Sequence, residues 1–516
     1  MSQGGFRSRS RSAGKPNPDR TAGREPEAQR RYGQKKRPQG NRRSGDRAQE
    51  NRAPQDGFRK LSGVDTARSV AFHVLHRVSS ENAFANLTLP KLLNKANVHG
   101  RDAAFATELT YGTLRTVGVL DALIGKCSSR GLNTIHPELL DALRLGAYQL
   151  MYMRVEPHAA VDTTVRIVEA LGHDKAKGFV NGILRTISRS TPAEWMDRLA
   201  PQSEVANIAF RTAHPEWIAH SFSRVVGLSN LEETLRADSD RPIVHLVARP
   251  GEISALELSL ITGGEQGKYS PYAVYLESGD PGELEPVQQQ LAAVQDEGSQ
   301  LIARALAEAP VDGTDTGRWL DLCAGPGGKA ALLGALARID AAHVDAIEIS
   351  EHRARLIEKT VAGLPVRVKV ADGRNPGLND GYDRVLVDAP CSGLGALRRR
   401  PDARWRKQES DITELVPLQK ELLTSACALV RPGGVVVYST CSPDLRETRD
   451  IVDHALTHLG MVEEDAAALV SEMSHTGEYK SVQMWPHLHG TDAMFFAVLK
   501  NQVHKSIFHI WIGRPE

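Results

Sequence analysis

The chain has 516 residues, with 64 Lys and Arg against 63 Asp and Glu and a net charge of +1. That length suits roughly two to four domains with their own cores. The five cysteines include no CxxC pair, which argues against a disulfide framework or a structural zinc site. No apolar run approaches the ~20 residues of a membrane span, and the N-terminus lacks the apolar stretch of a signal peptide, so a cytoplasmic protein with reduced thiols is expected.

Residues 1–60 hold 17 basic and 6 acidic side chains, a net of +11, and the rest of the chain is correspondingly −10. Residues 1–62 are rich in Arg, Gly, Gln, Ser and Pro and nearly free of aliphatic side chains, so the sequence predicts a disordered basic tail. The run Arg7-Ser8-Arg9-Ser10-Arg11-Ser12 suits RNA phosphates, and a solubilising tail is the alternative. Residues 63–190 read as an all-α bundle: Leu139, Leu143, Ala147 and Leu150 line one face, with Pro137 near that helix's start. Residues 191–310 are mixed, with a strand expected at 242–247 and a helix over 286–309. From Arg318 to Leu499 strands alternate with helices: Trp319–Leu322, Val344–Ile349, Val366–Val370, Arg384–Asp388, Val435–Ser439 and Met494–Leu499. This is the pattern of a doubly wound, Rossmann-like α/β sheet over 311–500. Residues 501–516 carry no assignable role.

Three loops at strand ends carry the chemistry, since open α/β sheets bind ligands there. Cys323-Ala324-Gly325-Pro326-Gly327-Gly328-Lys329 lets a ligand approach the backbone. It is not a P-loop, because only two residues separate Gly325 from Gly328 and Ala330 follows the lysine. Glu348 ends the next strand, where an acid takes ribose hydroxyls, and Asp372 ends the third, where an acid can accept from an adenine amino group. Together they point to an adenosine-type ligand. Asp388-Ala389-Pro390-Cys391-Ser392-Gly393 and Ser439-Thr440-Cys441-Ser442 place two thiols in polar turns after buried strands, whereas Cys127 and Cys427 read as packing residues. Arg398-Arg399-Arg400 and Arg404-Trp405-Arg406 suit phosphate contact and base stacking, unless they form a solvated helix face. His487-x-His489 lacks a third ligand, and no metal is expected.

The glycine loop and the two cysteine strings resemble the motifs of S-adenosylmethionine-dependent RNA cytosine-5 methyltransferases. The chain from about residue 65 to 499 is similar to the bacterial RsmB/Sun/Fmu group, which joins a NusB-like RNA-binding domain to the methyltransferase. Phe179-Val180-Asn181-Gly182-Ile183-Leu184-Arg185, Ala213-His214-Pro215-Glu216-Trp217, Val294-Gln295-Asp296-Glu297-Gly298-Ser299-Gln300 and Gly490-Thr491-Asp492 carry the resemblance outside the loops. Ala330, Glu348, Arg449 and Ala493 depart from the pattern, and none is a catalytic cysteine.

The resemblance implies S-adenosyl-L-methionine as cofactor, held by residues 323–329, Glu348, Asp372 and Asp388. It implies methylation of carbon 5 of a cytosine in small-subunit (16S) rRNA by a soluble monomer without metal or membrane partner. It assigns Cys441 as nucleophile at carbon 6 and Cys391 to proton removal or release. Asp388 would bind the cytosine edge, and Lys329 would orient Asp388 or lower a thiol pKa. A transfer RNA substrate and a non-catalytic RNA-binding assembly or antitermination role are the alternatives. The linker, 191–310, would be an RNA-recognition subdomain.

Overall fold

The computed structural model describes residues 58–502. The expectations for the basic tail through residue 57 and for residues 503–516 lie outside the described residues.

Helices fill the N-terminal region from Thr66–Glu81 onward. Asp65 starts the first by accepting from the Arg68 backbone N–H at 2.9 Å. Helix Pro137–Tyr152 has proline in its first turn, as the sequence predicts. Its Leu143 and Ala147 are fully buried and Leu139 nearly so, while Leu150 packs at the core's edge. Helices continue beyond residue 190, through Pro192–Leu199 and Glu204–Arg211 to Glu216–Ala237. Thr191 and Glu194 form a reciprocal cap, and Trp195 inserts into the bundle core with its indole N–H donating to the Ile187 carbonyl at 2.8 Å. Ile218, Phe222, Leu231 and Leu235 of the long helix instead pack with Leu394, Leu397 and Trp485 of the C-terminal domain.

A small antiparallel sheet follows, made of β1 (Val244–Ala248), β2 (Glu265–Gln266), β3 (Ala273–Leu276) and β4 (Ala292–Val294), in the order β2-β3-β1-β4. The expected strand at 242–247 is β1. The helix expected over 286–309 is not one element. A short turn of helix, Glu285–Gln288, breaks where Gln290 takes a left-handed φ of 60°; β4 then forms, and Asp296 caps a new helix, Glu297–Glu308.

The large sheet contains β5 (Arg318–Asp321), β6 (His343–Glu348), β7 (Val366–Val370), β8 (Tyr382–Asp388), β9 (Val430–Thr440), β10 (Met461–Glu464), β11 (Val482–Gln483) and β12 (Phe495–Asn501). Its order is β10-β12-β9-β8-β5-β6-β7, with β11 paired to β12. β5 through β9 run parallel, β12 runs antiparallel to β9, and β10 runs antiparallel to β12. Trp319, Leu386, Val435 and Val437 face a core with Leu301, Ile302 and Leu306 of the Glu297–Glu308 helix. Leu320, Val385, Val387, Val436 and Tyr438 face the opposite core with Leu422, Leu423 and Ala426 of helix Glu409–Leu429. Burial on both faces is why these strands read as continuous apolar runs. Among the described residues, no helix is long and apolar enough to cross a membrane.

Candidate active site

β5 lies between β6 and β8, so connections leave its two sides in opposite directions and open a crevice beyond the strand ends. The glycine loop lies there. Gly327 has a φ of 113°, and a Cβ on it would come 3.2 Å from the Ile357 Cα, so only glycine fits. A Cβ on Gly325 would lie 2.1 Å from Glu348 Oε2, which places that carboxylate directly against the loop backbone. Glu348 Oε1 accepts from Ser350 N–H at 2.7 Å and pairs with Arg353 at 2.8 Å, leaving Oε2 on the loop side.

Two buried groups beside the loop lack partners. Asp321, at the end of β5, accepts from Cys323 N–H at 3.3 Å through Oδ1, while its buried Oδ2 has no partner. Burial, with the Asp388 charge adding to it, pushes the Asp321 carboxyl up to about 7. Neither amide atom of Gln295 has a partner, and its Nε2 lies 3.7 Å from where a Gly328 Cβ would stand. Asp372 is placed differently: both its oxygens are bound by the Arg374 guanidinium, which also pairs with Glu421. Ala324 is buried beneath the loop, and burial pushes the Cys323 thiol well above its usual value.

The paired strands β8 and β9 bring the two cysteine strings together, Asp388 opposite Ser439. Cys391 Sγ and Cys441 Sγ are 3.4 Å apart. The Lys329 ammonium bridges Asp388 Oδ2 at 2.8 Å and Ser299 Oγ at 2.9 Å, and the Ser439 hydroxyl donates to Asp388 Oδ1 at 3.0 Å. Burial opposes the Lys329 charge, but Asp388 outweighs it and holds the ammonium protonated. Of the two readings of Lys329, its contacts fit both, because it touches Asp388 and its field reaches Cys441.

The thiols are unequal. The hydrogen bond with Cys391 lowers the Cys441 thiol against burial and the Asp388 charge, and the Lys329 and Arg400 charges act with it. That same hydrogen bond, then burial, pushes Cys391 well above its usual value, and the Glu447 and Asp388 charges add to this. Burial also raises Cys127 and takes Cys427 up to about 12. Cys441 is thus the one thiol of the five held toward thiolate.

Glu447 is a part of the site that the motif reading missed. Its buried carboxylate accepts from Ser392 N–H at 2.8 Å, from the Ser392 hydroxyl, and from Gln419 Nε2 at 3.0 Å. Gln419 also donates to the Pro390 carbonyl at 2.9 Å, and Tyr438 OH to the Glu447 carbonyl at 2.8 Å. The carboxylate thereby fixes the Cys391 loop from below. The available signal was an acid a few residues after Cys441, in a string where Arg446 and Arg449 divert attention; both arginines serve local ion pairs.

The arginine–tryptophan segment does not form an open RNA face. Arg398 and Arg399 pair with Asp492 and Asp296, and fully buried Arg404 pairs with Asp238 at 2.9 Å. The Trp405 indole donates to the Arg115 carbonyl, and its ring fills the space where Gly118 has no side chain. Arg404 and Trp405 thus fasten this C-terminal segment to the helical domain. His489 Nδ1 accepts from the Trp485 backbone N–H at 2.9 Å and its Nε2 donates to the Ser474 carbonyl at 2.8 Å, so its ring is committed to structure.

Comparison with known proteins agrees with this geometry. Residues 306–500 match the family described as 16S rRNA methyltransferase RsmB/F, and residues 65–189 match the NusB family. The chain is 54% identical over 444 residues to the Mycobacterium tuberculosis protein named "Putative methyltransferase Rv1407", covering 85% of this chain and 97% of that one. It is 33% identical over 387 residues to the Cronobacter sakazakii "Ribosomal RNA small subunit methyltransferase B", covering 73% and 86%. The solved structure of PH0851 superimposes with a TM-score of 0.72 at 22% identity, covering 86% of this chain and all of that one, a likeness of fold.

Proposed function

We propose that this chain, which belongs to the RsmB/F family of S-adenosylmethionine-dependent RNA cytosine-5 methyltransferases and carries a NusB-type helical domain, methylates a cytosine of small-subunit rRNA through a covalent bond from Cys441 to carbon 6. The observation that carries the chemistry is the 3.4 Å thiol pair in which Cys441 alone is held toward thiolate. The rRNA substrate is supported by the Cronobacter sakazakii relative's name.

Carbon 5 of cytosine is a poor nucleophile until a thiolate adds to carbon 6 and makes it electron-rich. Cys441 supplies that thiolate. Asp388, held by Lys329 and Ser439, retains lone pairs for the cytosine amino group, and its ammonium partner offsets charge developing on the ring. S-adenosylmethionine, when bound, supplies the methyl group as an electrophilic sulfonium. The residues fit that cation: the unpartnered Asp321 oxygen, the Glu348 oxygen facing the loop and the glycine backbone form a carboxylate-lined cradle. Once Cys441 is bonded to carbon 6, the largest cause of the raised Cys391 pKa is gone. Cys391 then becomes the nearby group able to take the carbon-5 proton or assist release of Cys441. The intact pair argues against a purely non-catalytic assembly role.

The test is methyl transfer from labelled S-adenosylmethionine to unmodified small-subunit rRNA, with the labelled nucleoside identified. 5-Methylcytidine in rRNA supports the reading. Label in transfer RNA and not in rRNA would overturn the substrate.

A further inference from the structure

A cavity of about 510 Å³ lies where the helical domain, the small sheet and the catalytic domain meet. Its walls include Asn86, Tyr111 and Arg115 of the helical domain, Arg241 on the approach to β1, Val294 of β4, and Arg399. We infer that this cleft seats an unpaired nucleotide of the substrate RNA adjacent to the target cytosine, with its phosphate on Arg115 and Arg241 and its base against Tyr111. The inference deepens the proposed function and rests on it.

Charge pairing singles out two of the basic residues. Arg398 and Arg399 line the cleft but are neutralised by Asp296 and Asp492, and Glu108 accepts from the Tyr148 hydroxyl. Arg115 and Arg241 have no acidic or hydrogen-bonding partner for their guanidinium groups among the described residues, and the Arg115 Nε is buried without an acceptor. A buried, unsatisfied guanidinium N–H is costly, and a phosphate oxygen arriving from outside meets its geometry.

The other walls suit a base. Tyr111 lies one helical turn before Arg115, on the same face of helix Gly100–Arg115. Burial raises the Tyr111 hydroxyl to about 12, so it stays a hydrogen-bond donor, and its ring offers a stacking surface. Asn86 adds an amide able to read a base edge, and exposed Val294 supplies an apolar contact. A base can enter such a seat only from an unpaired strand.

The cleft also shares a backbone segment with the surroundings of the nucleophile. Arg399 and Pro401 form its wall, while the Arg400 charge between them reaches Cys441. The same segment donates from Gly395 N–H to the Cys441 carbonyl at 2.9 Å, so one stretch of backbone borders both the nucleophile's loop and the cleft, as a strand carrying the target and its neighbour requires.

The experiment compares the full chain with Arg241→Gln, Arg115→Gln and Tyr111→Ala, using small-subunit rRNA for turnover and a fluorescein-labelled single-stranded RNA for binding. Each arginine variant should raise the RNA KM about tenfold and flatten the salt dependence of binding by about one unit of slope, with kcat nearly unchanged. Tyr111→Ala should weaken binding without changing the slope, and Tyr111→Phe should restore most of it. S-adenosylmethionine affinity should stay constant throughout, which also reports that each variant is folded. Unchanged RNA affinity and salt slope in Arg241→Gln, on an exposed segment that carries little folding risk, would overturn the inference. If the wild type methylates no RNA, the proposed function fails by itself, and the salt slopes still decide whether RNA occupies the cleft.

Discussion

The loop after β8 and the loop after β9 look alike in sequence, each a short polar turn with one cysteine at the end of a buried strand. Their surroundings differ in sign. The Cys391 loop is fastened by the Glu447 carboxylate, whereas the Cys441 loop faces the Lys329 and Arg400 charges. Two thiols 3.4 Å apart are thus driven in opposite directions, first by the hydrogen bond they share and then by the charges around each loop, which separate nucleophile from assistant.

The largest break in this comparison is Cys441→Ala. It should cut methyl transfer by about 10⁴-fold or more while leaving cofactor affinity nearly intact. Lost cofactor binding, measured by calorimetry, would contradict the role assigned to it.

Removing the cation from the Cys441 side comes next. Lys329→Met should lower the rate at neutral pH by about 10²-fold. The Cys441 thiol is held down in part by this charge, so the variant's thiol pKa should rise and its rate should recover as pH increases. A pH–rate profile with the same alkaline limb as wild type would place the lysine's effect in Asp388 positioning alone.

Changing the other side should do less. Glu447→Gln keeps the shape but loses the charge beside Cys391 and weakens the bonds from Ser392, so about a tenfold loss is expected. Alkylation kinetics should show the reactivity gap between the two thiols narrowing. An unchanged gap would show that Glu447 acts only as a brace.

The smallest effect concerns Asp321, which lies at the end of β5 beside the glycine loop, where the Asp388 charge reaches it. Its carboxyl is neutral below about 7 and ionised above it, so affinity for the cationic cofactor should rise severalfold through that range and stay flat in Asp321→Asn. In the free protein the stability linked to this group has the opposite trend. It is fully present below the ordinary carboxyl value near about 4 and is lost as pH rises through about 7. Calorimetric titration and thermal melts across that range read both.

How legible the molecule was in its sequence followed from what each element buries. β5, β8 and β9 are covered on both faces, so apolar runs marked them, and the glycine loop and cysteine turns fell at their ends; the edge strand β7 was marked instead by its alternating valines. β10 and β11 were missed because they are short, and Met461-Val462-Glu463-Glu464 pairs at an edge with two exposed-type side chains. The break at Gln290 depends on a left-handed backbone that a glutamine does not advertise. Arg404 and Trp405 looked like a surface for RNA because their partners, Asp238 and the Arg115 carbonyl, are remote in sequence. Glu447 was hidden for the same reason, since its value lies in reaching Ser392 and Gln419 on other elements.

The most direct test is to incubate Cys391→Ala with S-adenosylmethionine and unmodified small-subunit rRNA, run a denaturing gel, and map any cross-linked peptide. The account predicts a denaturation-resistant protein–RNA adduct joined through Cys441, absent from the Cys391/Cys441 double variant. An adduct mapped to any other residue, or turnover as fast as wild type with no adduct, would contradict it.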